Sequence, residues 1–368
     1  MMTELKLYSK SGVQCDWQCP RKRYWNYEYG GKGVVTGSTY LELYLGQAVH
    51  DGLAALAHGV EIGEIAKTAK QQMMQSLMEN SAGLQEEFEF ANEQAALVEG
   101  LLRGFAKHVW PRLCKEYPKI ILVEQAMVYK HDTFGFMAKP DLVVADSEGN
   151  NWYVEYKTTS SKKDGWVNSW NTAVQLHSTI KAIENTLKEK VTGVIVQGLY
   201  KGFESYGKQS SPFCYAYRRQ GNPPFSETET TYEYKAGFKR VPTWELDGGV
   251  EAWVEGMPEN VLADQFPQAP PIFVKDDLIE AFFKQRAWRE KEIQMAGEMF
   301  PMVDDEGRQS IMDVAFPQRF DQCVPTFGKP CSYLKLCHGP QGVDPIQAGY
   351  SWRDEEHLME FRKLAKDA

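Results

Sequence analysis

The chain has 368 residues, 43% of them hydrophobic, with 41 basic and 50 acidic side chains for a net charge of −9. That length buries a sizeable core, so neither a disulfide nor a metal is needed merely to fold. The acidic balance counts against a surface coated for duplex DNA, although net charge hides local patches. No run of 18 apolar residues suggests a membrane span, and the opening MMTELKLYSK lacks the apolar stretch of a signal peptide. A cytoplasmic protein with no membrane partner is therefore expected. Seven cysteines, at 15, 19, 114, 214, 323, 331 and 337, argue against a disulfide framework and towards thiolate chemistry, metal binding or burial.

Residues 1–30 form a Cys- and aromatic-rich N-terminal segment. Residues 31–118 read as helical: Leu45, Val49, Leu53 and Leu56 lie at helical spacing, and a second run from Ala91 to Tyr117 is interrupted by Pro111. The period then changes. Ile120 to Lys130, Phe136 to Asp146 and Asn151 to Thr159 read as three strands joined by the turn-rich HDTFG and SEGNN, which predicts antiparallel hairpins. A helix from Ser169 to Lys190 and an apolar strand from Thr192 to Leu199 add a crossover, hence a mixed sheet. Loops at 202–212 and 220–229 flank a strand at Phe213 to Tyr217, and Tyr232 to Phe238 reads as one more. Residues 119–245 thus form the core, and 246–316 a helical region whose clearest helix is Asp276 to Met299. Residues 317–345 carry three cysteines, and 346–368 form a charged helix or tail.

The chemistry concentrates in NWYVEYKTT. Strand alternation puts Tyr153, Glu155 and Lys157 on one face and Trp152, Val154 and Tyr156 on the other. Charged groups on a buried strand are costly unless paired or bound to a metal. The preceding strand carries Asp141, which a hairpin turning at Ser147 to Asn150 places opposite Glu155 or its neighbour, ~5 Å away between Cβ atoms. Pro140 cannot donate to a ladder, so an edge or bulge is expected there. Two carboxylates can hold one or two hard divalent cations, and a neighbouring ammonium can orient water and stabilise a pentavalent phosphate.

This arrangement resembles the PD-(D/E)xK nuclease superfamily, through Pro140-Asp141 and Glu155-Tyr156-Lys157. The resemblance implies a restriction-endonuclease-like α/β core, a central mixed sheet flanked by helices, with a helical N-terminal region. It implies Asp141, Glu155 and the Tyr156 carbonyl as ligands of Mg²⁺ or Mn²⁺, and Lys157 as catalytic. Gly46-x-x-x-His50 in a preceding helix and Gln175 in a following one narrow the likeness to the RecB-like branch, in which His50 binds metal. The tyrosine that follows the glutamine by four residues in that branch is Thr179 here. Glu124 is a looser match that adds a carboxylate. The implied partner is DNA, single-stranded or with free ends, and the implied activity an exonuclease of the repair and recombination class. Rings beside basic groups in Arg21-Lys22-Arg23-Tyr24-Trp25, at Lys162-Lys163 with Trp166, and in Tyr215 to Arg219 suit single strands.

Cys323, Cys331 and Cys337 leave a four-coordinate soft-metal site one ligand short, with Cys19 and Cys15 both near enough in sequence to each other to be rivals for the fourth. The layout is similar to iron–sulfur RecB-like nucleases, including CRISPR-associated adaptation nucleases and AddB subunits, in which one cysteine precedes the core and three follow it. That likeness implies a C-terminal iron–sulfur-binding segment with a [4Fe–4S] cluster on Cys19, Cys323, Cys331 and Cys337. Cys19 is preferred because Pro-Arg-Lys-Arg-Tyr follows it, as in that family. Cys114 and Cys214 are expected to be inert. Two other classes compete: a catalytically inactive DNA-binding or assembly subunit that keeps the fold, and a zinc-stabilised interaction protein.

Overall fold

A computed structural model describes residues 6–36, 41–78, 85–131, 134–159, 166–167, 170, 175–201, 215–219, 230–231, 238–242, 248–324, 330–339, 343–354 and 356–367. Strand β1 (Lys6–Ser9) runs directly into helix α1 (Lys10–Gln18), whose first turn is capped by the Ser9 hydroxyl accepting from the Gly12 N–H at 3.1 Å. Helix α2 (Pro20–Arg23) and strand β2 (Val34–Thr36) follow. The helical region then comprises α3 (Leu41–Ala57), α4 (Ile62–Met78), α5 (Gln85–Gly104) and α6 (Trp110–Glu116). The interruption anticipated at Pro111 is a π-type turn at Phe105–Val109, with the proline in the first turn of α6, where no N–H is needed.

Two of the expected strands are each broken. Ile120 to Lys130 becomes β3 (Lys119–Val123) and β4 (Met127–His131), while Phe136 to Asp146 becomes β5 (Phe134–Ala138) and β6 (Leu142–Ala145). The breaks face each other. Glu124 sits at φ 46°, in the left-handed region, and Pro140 lacks the N–H that would continue a ladder. Beyond them the chain changes sheet: β3 pairs with β6, whereas β4 pairs with β5.

Strand β7 (Asn151–Thr159) pairs antiparallel with β6, Leu142 opposite Val154, as the predicted hairpin requires. Helix α7 (Gln175–Leu187) crosses over to β8 (Val191–Tyr200), parallel to β7. Strands β9 (Tyr215–Arg219), β10 (Thr230–Thr231) and β11 (Phe238–Pro242) form a separate antiparallel sheet. The loops expected at 202–212 and 220–229, and most of the strand expected at Tyr232 to Phe238, lie outside the described residues. Helices α8 (Val250–Glu255) and α9 (Glu259–Gln265) lead to β12 (Ile272–Phe273), an unanticipated edge strand on β8. Helix α10 (Asp276–Met299) has the predicted ends. Beyond α11 (Asp305–Ala315) and α12 (Leu334–His338), the helix alternative for the last residues is the one observed, with a short strand ahead of it. Strand β13 (Tyr350–Trp352) pairs with β2 before α13 (Glu356–Asp367).

The mixed sheet therefore runs β12-β8-β7-β6-β3, with β1-β5-β4 continuing it around the bend. Alternation along β7 divides the core as read from sequence. Trp152, Val154 and Tyr156 pack with Leu45, Val49, Leu53 and Leu101 from α3 and α5, while Tyr153 packs with Ile180, Ile183, Phe282 and Phe283 from α7 and α10. Helices cover both faces of a mixed sheet, which is the restriction-endonuclease-like arrangement.

A buried ion network ties the N-terminal segment to α10. Arg23 is 1% exposed and forms a fork of two 3.0 Å bonds to Glu290, with Glu28 at 3.1 Å. Arg286 contacts Asp16 at 2.8 Å and also reaches Glu290, and Arg289 reaches Asp16 at 2.9 Å. Burial raises the pKa of the Asp16 carboxyl, but Arg289, Arg23 and Arg286 outweigh it and hold the group below its ordinary value. Its contribution to stability is thus complete above the unfolded carboxylate value of about 4 and is lost as pH falls through the lower folded value. Removing one partner strands buried charges, so Arg23→Met is expected to cost about 3–5 kcal/mol in urea unfolding at neutral pH. A loss below 1 kcal/mol would show that the network is solvated.

Candidate active site

Asp141 lies at the break, just ahead of β6, and is 8% exposed. Its Oδ2 accepts from the Tyr156 N–H at 2.6 Å, and its Oδ1 lies 3.1 Å from His50 Nδ1. Extending the β6–β7 register by one step sets Asp141 opposite Glu155, the position inferred from sequence. Burial alone would raise the Asp141 pKa. The His50 ring and the Lys157 and Lys10 ammoniums reverse that and hold it low. Burial likewise pushes the His50 imidazole down, and Asp141 outweighs it, favouring the charged ring.

His50 comes from α3. One turn earlier, a Cβ at Gly46 would lie 3.6 Å from Thr158 Oγ1, so the helix rides close over the end of β7 and aims its histidine at the hinge. Glu124 arrives from the opposite break. Its N–H bonds the Asp141 carbonyl at 3.2 Å, its Oε1 is 4.0 Å from His50 Nδ1, and its Oε2 is 3.1 Å from Lys139. A non-glycine residue at positive φ costs of order 1 kcal/mol or more, which the fold accepts at this position. His50, Glu124 and Asp141 offer ligand atoms that all lie within 4.8 Å of one another, making a candidate cation site. Burial and the nearby Asp141 carboxylate raise the Glu124 pKa, the response of crowded acids that a divalent ion would relieve.

Glu155 has no exposed surface and sits beside this trio rather than within it. Its Oε1 contacts the Lys157 ammonium and, at 2.5 Å, the Lys10 ammonium. Its Oε2 is buried with no hydrogen-bond partner, a condition that costs about 1–3 kcal/mol unless a cation claims the atom. Lys10 was not singled out from sequence. No local signal marks it: Lys10 is simply the first residue behind the Ser9 N-cap, at the end of the short strand Lys-Leu-Tyr-Ser. Burial lowers the Lys10 pKa, but the Glu155 and Asp141 carboxylates outweigh it and keep the amine charged.

Gln175 is the first residue of α7, and its side chain lies outside the described residues; Thr179, in the tyrosine position, is buried. Cys19, Cys323, Cys331 and Cys337 line one cavity of about 320 Å³, which Cys15 does not reach. Cys15 is buried, and its burial pushes the thiol up to about 11. Cys114 is half-buried on α6, and Cys214 lies outside the described residues.

The basic–aromatic clusters need correction. Arg21 and Arg23 are not a solvated face for single strands. Arg21 bonds the Phe316 carbonyl at 2.8 Å and Asp313 at 2.6 Å, and Arg23 is consumed by Glu28 and Glu290. Trp166 is buried too. Lys162, Lys163 and the side chains from Tyr215 to Arg219 lie outside the described residues.

The site thus gathers buried carboxylates, a histidine and two ammoniums at one break in the sheet. The model of the PD-(D/E)XK nuclease superfamily matches residues 8–270, and the chain belongs to that superfamily. The match takes in the end of β1 and Lys10 and stops before the three C-terminal cysteines. No curated protein matches the chain. Among solved structures, one from Eubacterium rectale, named only provisionally as an exonuclease, aligns over 92% of this chain and 94% of its own. Its identity is 12% and its TM-score 0.35, too loose a likeness to support an argument. Among the described residues no helix is long and apolar enough to cross a membrane.

If the trio is the cation site, Glu124→Gln and His50→Ala each weaken Mn²⁺ binding by at least about tenfold, the cost of disturbing even an outer partner of a metal. Isothermal titration of the purified chain measures this. Unchanged affinity in both variants would place the ion elsewhere.

Proposed function

We propose that the chain is a divalent-metal-dependent deoxyribonuclease of the RecB-like branch, an exonuclease on single-stranded DNA or DNA ends, with a structural [4Fe–4S] cluster. The observation that carries the catalytic part is the pairing of two buried carboxylates on facing strand positions, Asp141 against His50 and Glu155 against Lys157, with one Glu155 oxygen left unpartnered. Mg²⁺ or Mn²⁺ fits an all-oxygen and imidazole donor set, and the residues that would hold it are Asp141, Glu155, His50 and the Tyr156 carbonyl, with Glu124 as a further carboxylate. Bound there, the ion supplies a Lewis acid beside the scissile phosphate.

The chain's own groups do the rest. Asp141, fixed by the Tyr156 N–H, keeps His50 oriented. Lys157, on the same face of β7 as Glu155, aims its ammonium where the attacking water and the developing phosphate charge belong. Gln175, at the start of α7, would help hold the substrate end. The preference for single strands or ends rests on the motif set, because the basic–aromatic clusters near the N-terminus are spent internally. The domain reading that fits is a core at 119–245 with helical regions at 31–118 and 246–316, a cysteine segment at 317–345, and residues 346–368 following. Residues 1–30 are shared between the core and the cysteine cavity.

The cluster is supported by the four thiols sharing one cavity.

Cleavage of 5′- and 3′-labelled single- and double-stranded DNA, with and without Mn²⁺, tests the activity and its polarity. Glu155→Ala and Lys157→Ala are expected to abolish Mn²⁺-dependent cleavage while far-ultraviolet circular dichroism stays unchanged; full activity in either variant would remove the proposed centre. For the cluster, Cys331→Ala should lose iron and the brown absorbance and lower the unfolding midpoint. Iron content equal to the parent, or zinc without iron in the parent, would reject the assignment.

A further inference from the structure

We propose that Lys10 is a further phosphate-binding residue of this centre: an ammonium that neutralises Glu155 while no cation is bound, and that turns to a nonbridging oxygen of the scissile phosphate once a divalent ion takes the carboxylate. The inference rests on the nuclease reading above and extends it to a residue outside every motif that identified the site.

Three observations carry it. The first is placement. Lys10 opens α1 directly behind β1, whose ladder with β5 sets Ser9 opposite Met137, and the Ser9 cap fixes the first turn of the helix. The contact with Glu155, 145 residues away, therefore belongs to the core and not to a loose arm.

The second is redundancy. Glu155 Oε1 takes two ammoniums at once while Oε2 takes none. One lysine suffices to pair one carboxylate, and two like charges on a single oxygen repel. Lys157 is a strand residue of β7, beside Glu155 on the same face. Both ammoniums stand on flexible four-carbon stems and are equally exposed, at 28% of their side chains, but Lys10 reaches in from another element. It is the partner not tied to the strand that carries Glu155.

The third is charge. Asp141, Glu155 and Glu124 face Lys10, Lys157 and Lys139, three carboxylates against three ammoniums, and His50 gives up its proton on ligating an ion, so before the ion's own charge is counted the loaded centre is balanced. A divalent ion gives it a surplus of two positive charges. Attack by a deprotonated water takes a phosphodiester from one negative charge towards two in the pentavalent state, and the displaced ammonium is positioned to meet the added charge.

The test uses the full chain with Lys10→Met and Lys10→Arg, and Mn²⁺ alone as the binding probe. Lys10→Met removes the cation that competes for Glu155, so Mn²⁺ is expected to bind several-fold tighter by titration calorimetry, while single-turnover cleavage at saturating DNA falls about 100-fold, the loss typical of one transition-state donor. Lys10→Arg keeps the charge, and is expected to retain parental Mn²⁺ affinity with a smaller loss of rate. A residue that only balanced charge would behave differently: Lys10→Met would again bind Mn²⁺ tighter and would lower the urea midpoint, but single-turnover cleavage at saturating DNA would stay at the parental rate in both variants. Either that pattern, or an unchanged rate and affinity in Lys10→Met, overturns the proposal. If Lys10→Met does not fold, the Lys10→Arg rate decides. If the parent itself does not cleave, the nuclease reading fails on its own, and tighter Mn²⁺ binding by Lys10→Met still decides whether Lys10 competes for Glu155.

Discussion

The site depends on one buried hydrogen bond, from the Tyr156 N–H to Asp141 Oδ2 at 2.6 Å. The β6–β7 ladder ends at Leu142 and Val154, so the next amide of β7 facing that edge has lost its backbone acceptor. A buried amide cannot go unpaired cheaply, and a buried carboxylate cannot stand alone. Asp141 answers both needs with one contact. Its second oxygen then draws His50 down from α3, so a single side chain joins the end of one strand, the middle of another and a helix.

That arrangement requires the sheet to break where it does. Had β5 and β6 been one strand, the ladder would have continued past Leu142 and the Tyr156 amide would have found a carbonyl. Pro140 ends β5, and Glu124 at positive φ bends the facing strand, opening a gap in the sheet at the point where the carboxylates gather. The amide that turns to a side chain for its acceptor, the strained Glu124 and the crowded acids are one feature. Local stability is given up at the hinge, and the cores on the two faces of β7 hold it in place.

Local periodicity carried much of this in the sequence. Alternation in NWYVEYK sorted the two faces of β7 correctly, and helical spacing set both ends of α10. Pro140 pointed to an irregularity next to Asp141. What sequence could not supply was pairing between distant segments. Arg23 reads as part of a basic surface patch because its partner, Glu290, is 267 residues away; a buried arginine and an exposed one look alike until the partner is known. Lys10 was passed over for the same reason. Its significance lies in Glu155, and nothing in LYSKSG announces that. Glu124 was read as a marginal carboxylate on a continuous strand, and only the break turns it towards His50.

The same long-range ties bear on the role of the four cysteines. A link between residue 19 and residues 323–337 would close a very long loop, and on chain entropy alone such a clip is strongly stabilising. The loop is already closed, however. β2 pairs with β13, Arg21 holds Asp313 and the Phe316 carbonyl, and Arg23 holds Glu290. A clip added to a closed loop gains less entropy than one that closes it, so its value must come from local order. Cys19 directly follows α1, nine residues and about 13 Å long at 1.5 Å per residue. Lys10 stands at the opposite end of that helix. The helix is therefore anchored at its start by the β1–β5 ladder, along its length by Asp16 on Arg286 and Arg289, and at its end by the cysteine cavity. On the proposed reading, a group bound by the cysteines would order the strut that carries an ammonium into the carboxylate site, which would give a segment distant in sequence a physical reason to share a chain with that chemistry.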